Sequence, residues 1–211
     1  MFRSVVGILD TTFNSFILYH CMNKYFILLV VLVSVGLFVM YSDTFNLTCV
    51  VAVKDGKKYC VRDSTLLKES VELLAEVNGK MQKMVAFLDK KYPDDKRVRR
   101  LVKNFNPDRV VETLPTSEYT AYSENKGEKL AFCLRRYKKD AELIDLNTLT
   151  FVALHELSHL MSASVGHNEE FWTNFEFILE NAVSENIYNP VDYSKKPVEY
   201  CGISVNNNPL Y

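Results

Sequence analysis

The sequence predicts an α+β domain preceded by one hydrophobic helix. Three features support this prediction: a long amphipathic repeat over residues 63–92, two pairs of strand-like segments around short turns, and two further helical segments near the C-terminus. Helices that alternate with hairpins in this way are typical of an α+β architecture. The chain has 211 residues and a formal net charge of −1, which suits one domain with an added segment and gives no general attraction to nucleic acid.

The added segment is an apolar run near the N-terminus. Residues 25–42, "YFILLVVLVSVGLFVMYS", carry no charge and lie between Lys24 and Asp43. As a helix this run would rise about 27 Å, close to the roughly 30 Å of a bilayer's hydrocarbon core. We therefore predict an N-terminal segment 1–24, a transmembrane anchor at 25–42 and a soluble domain 43–211. A cleaved signal peptide is the alternative, but "LFVMY" prolongs the apolar run past the one candidate cleavage site.

This anchor would make the chain a single-pass membrane protein. The charges that flank the run leave the side of the soluble domain open. Met22, Asn23 and Lys24 already resemble the basic start of a signal anchor, so translation from Met22 is an alternative to translation from Met1. Five cysteines form no CxxC pair and fit either free thiols or one or two disulfides: Cys21, Cys49, Cys60, Cys133 and Cys201.

The soluble domain is predicted to begin with a hairpin and two helices. Residues 48–62 turn at Asp55-Gly56, where glycine supplies the positive φ of a tight turn. The long helix is capped by Asp63 or Ser64 and ends before Pro93. A shorter helix at 94–104 has basic residues alternating with acids, which favours a solvated face over a nucleic-acid surface.

The second half is predicted as a loop, a hairpin, two helices and a packed tail. The loop covers 107–118, and the hairpin turns at 125–127. One helix runs from Thr148 to about Ser162 with Asn147 as its cap, and the next from about Glu169 to Asn186. The tail is rich in tyrosine and is expected to pack onto the domain.

The motif "HELSHLMSASVGH" carries the predicted chemistry. His155 and His159 are four residues apart and share one helical face, so both imidazoles can reach one metal ion. Glu156 is turned about 100° from His155, which places its carboxylate beside the ion as a general base for a zinc-activated water. HExxH on a helix is the metallopeptidase signature, and this geometry is its physical reason.

A third ligand is needed to complete a zinc site with one open position. Gly166 can end the helix in a left-handed cap, and His167 follows directly, so a reversed chain would bring His167 to the ion. The alternatives are Glu169, Glu170 and Glu176. We predict one Zn²⁺ ion held by the three histidines of the motif.

These residues resemble a known family. "HELSHLMSASVGHNEEFW" is similar to the motif of the WLM and SprT-like metallopeptidases, and "KLAFCLR" and "NPVDYSKKPVEYCG" resemble predicted metallopeptidases of large DNA viruses of eukaryotes. The resemblance covers about residues 60–211 and implies a zincin-like domain with helices on a small sheet. It also implies that 130–135 is the strand beside the metal, able to hold an extended peptide. Seven residues separate His159 from His167, more than WLM proteins usually have.

The predicted function is a membrane-anchored zinc metallopeptidase that acts on a protein or peptide. Tyr188, Tyr193 or Tyr200 could stabilise the oxyanion, and core packing is the alternative for each. Two other functions stay open: a zinc-binding interaction module without activity, and a structural membrane or virion protein. A protease for DNA–protein crosslinks is disfavoured by the predicted anchor and the near-neutral charge.

Overall fold

A computed structural model of the protein describes residues 24–38, 47–138 and 142–211. Helix α1 covers 24–38. The other elements follow in this order: β1 (Leu47–Val51), β2 (Lys58–Arg62), α2 (Leu67–Lys91), α3 (Lys96–Asn104), β3 (Val110–Glu112), β4 (Ala121–Glu124), β5 (Lys129–Phe132), α4 (Leu146–Met161), α5 (Glu169–Ser184), β6 (Val198–Tyr200) and β7 (Ile203–Val205).

The predicted transmembrane anchor is wrong, and with it the single-pass membrane localisation. No helix among the described residues is both long and apolar enough to cross a membrane. The prediction rests on the absence of charge over 25–42, which is a property of composition and does not fix the extent of a helix. Residues 39–42, and Met22 as an alternative start, lie outside the described residues.

A five-stranded mixed sheet forms one layer of the C-terminal unit. Its strand order is β1-β2-β3-β5-β4. Both predicted hairpins are confirmed, because β1 pairs with β2 and β4 pairs with β5 in antiparallel register. Strand β3 joins them by parallel pairing to β2 and to β5. It lies inside the predicted loop 107–118, and its three residues are too few to show the alternation of a strand.

Helices α2 and α4 pack against this sheet, and α2, α3 and α5 pack around α4. Helix α2 packs the face that carries Leu74, Met81 and Leu88 into the core, as its apolar repeat predicted. Helix α4 is almost entirely buried. Its cap is Asp145 rather than the predicted Asn147, since the Asp145 carboxylate accepts the backbone N–H of Thr148 at 2.9 Å.

The tail packs as predicted, and it also contains a short hairpin. Strands β6 and β7 pair in antiparallel register. Tyr188, Tyr193 and Tyr200 are all buried, and the ring of Tyr193 lies 4.9 Å from that of Phe151 in α4. Two disulfides are present, Cys49–Cys60 across the first hairpin and Cys133–Cys201 between the sheet and the tail. Cys21 lies outside the described residues.

Candidate metal centre

Helix α4 presents His155 and His159 on one face, one turn apart. The apolar residues on its other faces fix it in the core; they include Leu154, Leu157 and Leu160, each at most 1% exposed. Because packing fixes the helix axis and its rotation, it also fixes where these two imidazoles point. Their rings lie 5.0 Å apart, centroid to centroid.

His167 reaches the same point from a loop. Helix α4 ends at Met161 with Ser162 as its cap, so the prediction that Gly166 caps the helix is wrong. The positive φ predicted for Gly166 is confirmed, since the chain turns there with φ of +86°. The Nε2 atom of His167 lies 3.0 Å from Nε2 of His155 and 3.1 Å from Nε2 of His159. Within the described ranges, these three residues form the single group of three or more potential ligands that could share one ion.

The geometry of this group fits a tetrahedral metal. Zinc–nitrogen bonds of about 2.0–2.1 Å at tetrahedral angles place neighbouring nitrogens about 3.3 Å apart. The observed 3.0 and 3.1 Å separations are close to that edge length. Two of the three nitrogen pairs thus have the separation that a shared tetrahedral ion would require, and all three potential ligand atoms lie within 4.8 Å of one another.

The electrostatics favour neutral imidazoles at this site. Burial, together with the neighbouring histidines, lowers the pKa of His155 to about 3. Burial, then the charges of His167 and Lys126, lowers the pKa of His159 to about 4. Both rings are therefore uncharged at neutral pH and keep the lone pair that a metal ligand needs.

One aromatic ring supports all three histidines. The centroid of Phe171 lies 4.8, 4.4 and 4.6 Å from the rings of His155, His159 and His167. Phe171 is itself fully buried at the start of α5. The next residue, Trp172, donates its indole N–H to the backbone oxygen of His167 at 3.1 Å. The sequence showed this aromatic pair, but not what it contacts.

Glu156 lies beside the histidines on α4 and is 5% exposed. Burial raises the pKa of its carboxyl to about 8. A buried carboxylate is a stronger base than one in water, because burial disfavours its charged form. A metal cation beside it would lower its pKa and weaken it as a base. Glu156 also lines the same cleft as His155 and His159.

The cleft has a volume of about 1190 Å³ and runs along β4. The implied role of residues 130–135 needs correction, because β5 is paired on both sides and β4 is the edge strand. Segment 117–126, which includes β4, forms one wall, and residues 164–167 with Trp172 form another. Of the three tyrosines considered for oxyanion stabilisation, Tyr200 lines this cleft and donates its hydroxyl to the Thr120 carbonyl at 3.3 Å.

The carboxylates considered as alternative third ligands are not part of the histidine group. Glu170 instead accepts the backbone N–H groups of Ala163 and Ser164, at 2.8 and 3.0 Å. These contacts lower its pKa to about 2, with the Ala163 hydrogen bond as the largest cause. Nothing in the sequence pattern indicated this contact, because Glu170 and its partners are joined only through the folded loop.

Comparison with known proteins gives a family match for the part of the chain that holds this site. Residues 97–196 match the family model described as the WLM domain. That segment contains the three histidines and Glu156. The match supports a metallopeptidase-like function, and it confirms the resemblance to WLM metallopeptidases drawn from the sequence.

Viral relatives and one solved structure are also similar. An uncharacterized protein of Acanthamoeba polyphaga mimivirus is 28% identical over 160 residues, which cover 74% of this chain and 80% of the relative. An uncharacterized protein of Invertebrate iridescent virus 3 is 32% identical over 101 residues, or 47% of this chain and 57% of the relative. The crystal structure of Wss1 from Saccharomyces cerevisiae matches with a TM-score of 0.45 and 17% identity, over 60% of this chain and 87% of that one. The resemblance to proteins of large DNA viruses is thus confirmed.

Proposed function

We propose that this protein is a zinc-dependent peptidase whose ion is held by the Nε2 atoms of His155, His159 and His167. The observation that carries the proposal is the convergence of these atoms beside a buried carboxylate in an open cleft. The Nε2 atom of His167 lies 3.0 Å from that of His155 and 3.1 Å from that of His159. Neutral imidazole nitrogens are ligands that zinc prefers, and three of them with an open position are typical of catalytic zinc sites.

Glu156 is the proposed general base. A bound zinc ion supplies positive charge that polarises a peptide carbonyl and acidifies a water molecule. The Glu156 carboxylate accepts a proton from the attacking water on one Oε atom, and the same Oε then passes that proton to the amine nitrogen that leaves. Its burial keeps this proton away from bulk solvent, and its place in the cleft wall brings it to the reacting bond.

The proposed substrate is an extended segment of protein. Strand β4 pairs with β5 on one side only, so its other edge offers backbone N–H and C=O groups to a peptide chain. The cleft walls include the side chains of Tyr119, Val165 and Trp172, each at least 40% exposed, which can bury apolar substrate side chains. Tyr200, which also lines the cleft, is the proposed donor to the oxyanion; its single hydroxyl hydrogen would have to leave the Thr120 carbonyl to take this role.

We further propose that residues 43–211 form the peptidase domain. The described part of this range has one hydrophobic core, which joins α2, the sheet, α4, α5 and the tail. The matched segment 97–196 lies within it.

The test compares two glutamate variants of the full chain. Glu156→Gln removes the base but keeps the shape of the side chain, so peptide hydrolysis should fall by about 10²- to 10⁴-fold while one zinc ion per chain is retained. Glu176→Gln is the matched control, since Glu176 is an exposed helical acid outside the histidine group, and it should keep both zinc and activity.

Cleavage is followed by mass spectrometry on a library of unfolded peptides, and zinc by elemental analysis. Wild-type rates from Glu156→Gln would show that the mechanism is wrong. One zinc ion per wild-type chain without any cleavage would indicate a binding module instead. Absence of any metal from protein purified without chelators would indicate a structural protein.

A further inference from the structure

We propose that Lys126 and Glu170 are positioning residues for the third metal ligand. Lys126 binds backbone carbonyl groups of the ligand loop, residues 162–167, and Glu170 binds its backbone N–H groups. Together they keep the His167 imidazole directed toward His155 and His159. This inference rests on the metal site of the proposed function. It assigns a role to two residues that do not themselves belong to the group of potential ligands.

Lys126 binds the carbonyl side of the ligand loop. Its Nζ atom donates to three consecutive backbone oxygens, those of Ser162, Ala163 and Ser164, at 3.2, 3.0 and 2.9 Å. These oxygens follow directly on the C-terminus of α4, where carbonyl groups lack helical partners and a cation is favoured. One ammonium group thus fixes the path of the chain as it leaves the helix.

Glu170 binds the amide side of the same loop. Its two carboxylate oxygens accept the N–H groups of Ala163 and Ser164, at 2.8 and 3.0 Å, and the Ser164 hydroxyl at 2.5 Å. The carboxylate is also 3.6 Å from Nη1 of Arg100 in α3, which in turn donates to the carbonyl of Met161. Because Glu170 belongs to the first turn of α5, it ties the loop to the helix that carries Phe171.

Other hydrogen bonds also hold the ligand loop: Asn174 donates to the Ser162 hydroxyl at 2.9 Å, the Ser164 hydroxyl lies 3.1 Å from Oδ1 of Asn168, and Trp172 donates to the His167 carbonyl at 3.1 Å. The one large apolar side chain of the loop, Val165, is 85% exposed, so packing does not fix this segment. Gly166 has φ of +86°, and no atom lies within 4 Å of the position that a Cβ would take. No packing contact at that position therefore fixes the turn. The seven-residue segment between His159 and His167 therefore depends on polar contacts for its conformation.

The placement of Lys126 is itself constrained. Lys126 has φ of +58° in the turn between β4 and β5, and Gly127 follows with φ of +109°. A Cβ on Gly127 would lie 2.2 Å from the backbone oxygen of Asn104 at the end of α3. The turn is thus pressed against α3, and this contact directs the lysine toward the ligand loop.

Loss of the Lys126 contacts or of the Glu170 contacts should weaken metal binding, because His167 is then less well positioned. A mobile loop must be ordered when the ion binds, and that ordering opposes binding. Supporting residues around metal sites typically change affinity by about 10- to 100-fold when they are removed. The effect should vanish once His167 itself is absent.

The experiment is a double-mutant cycle on the full chain, read by zinc competition against a chelator. Lys126→Met, which keeps the length of the side chain without its charge, should weaken zinc binding by about 10- to 100-fold. Glu170→Gln should act in the same direction from the other side of the loop. Lys126→Arg, which keeps the charge, should retain more affinity than Lys126→Met, and Lys90→Met on the exposed face of α2 is the matched control with no effect.

Each variant is then repeated in the His167→Ala background. There Lys126→Met and Glu170→Gln should change zinc affinity less than twofold, because the ligand that they position is gone. The cobalt-loaded protein gives a second readout: its visible spectrum reports the ligand set, and Lys126→Met should shift it toward that of His167→Ala.

Two results would overturn the inference. Unchanged zinc affinity and an unchanged cobalt spectrum in both Lys126→Met and Glu170→Gln would show that the loop needs neither contact. Equal losses with and without His167 would show that the two residues act on general stability. Failure of the proposed function looks different, since the wild-type chain would then bind no zinc at all.

Discussion

The two parts of the candidate metal centre are built in different ways. His155 and His159 stand on a helix that is buried along most of its length, so core packing sets their positions. His167 stands on an exposed loop, whose backbone carbonyls accept hydrogen bonds from Lys126 and whose backbone N–H groups donate to Glu170. The same three-ring site therefore depends on apolar burial for two ligands and on a few polar contacts for the third.

This difference explains which part of the site is sensitive to which change. Burial is spread over many side chains, and no single polar group decides where α4 lies. The ligand loop is held by a few hydrogen bonds, of which Lys126 and Glu170 together make five to its backbone, so a substitution at either residue should loosen it. The helix pair is the rigid part of the site, and the loop is its adjustable part.

The largest expected effect comes from removal of the ligands themselves. His155→Ala leaves one helical imidazole and one on the loop, whereas His167→Ala leaves the preorganised helical pair. Both variants should lose stoichiometric zinc binding at low zinc concentration, and His155→Ala should lose more affinity. Competition with a graded series of chelators measures the difference. Equal losses of affinity would mean that the loop is as rigid as the helix, which would contradict the distinction between the two parts of the site.

The next effect concerns Phe171, whose ring contacts both parts of the site. Phe171→Ala should lower the free energy of unfolding by about 3–5 kcal/mol, because it removes a fully buried aromatic side chain. Phe171→Leu is the control, with a cost of less than about 1.5 kcal/mol if the core can repack. Urea denaturation of the metal-free protein gives both values. A loss below about 1 kcal/mol for Phe171→Ala would place this residue with ordinary surface positions.

The smallest effect separates two glycines. Gly127→Ala should lower the free energy of unfolding by about 1–3 kcal/mol, since it adds a Cβ at φ of +109° against the backbone of Asn104. It should also weaken zinc binding, because it moves the turn that carries Lys126. Gly79 lies in α2 with open space around it, so Gly79→Ala should instead stabilise the protein by about 0.5–1 kcal/mol. A neutral or stabilising Gly127→Ala would disprove the constraint on the turn.

Much of the fold could be predicted from local patterns. The apolar repeat of α2 and the turn residues of both hairpins act over a few positions, and the structure confirms them. Strand β3 was missed because its pairing partners, β2 and β5, are distant in sequence. The cap of α4 was placed two residues late, since both Asp145 and Asn147 have capping side chains. Asn147 instead pairs with the backbone of Asn189 at 2.9 Å.

The site likewise has parts that local patterns predict and parts that depend on contacts distant in sequence. The helical period brings His155, Glu156 and His159 to neighbouring positions, and Gly166 marked the turn before His167. The contacts of Lys126 and Glu170 were not foreseen, because they depend on how α3, α5 and the sheet meet. The anchor prediction is wrong because it rests on composition alone: residues 25–42 carry no charge, yet no helix among the described residues is both long and apolar enough to cross a membrane.

X-ray absorption spectroscopy of the zinc-loaded full chain tests the central claim most directly, because it counts the imidazoles bound to the ion. The account predicts three imidazole nitrogens at about 2.0–2.1 Å in the wild type and two in His167→Ala. A wild-type spectrum with two imidazoles, unchanged by His167→Ala, would contradict it.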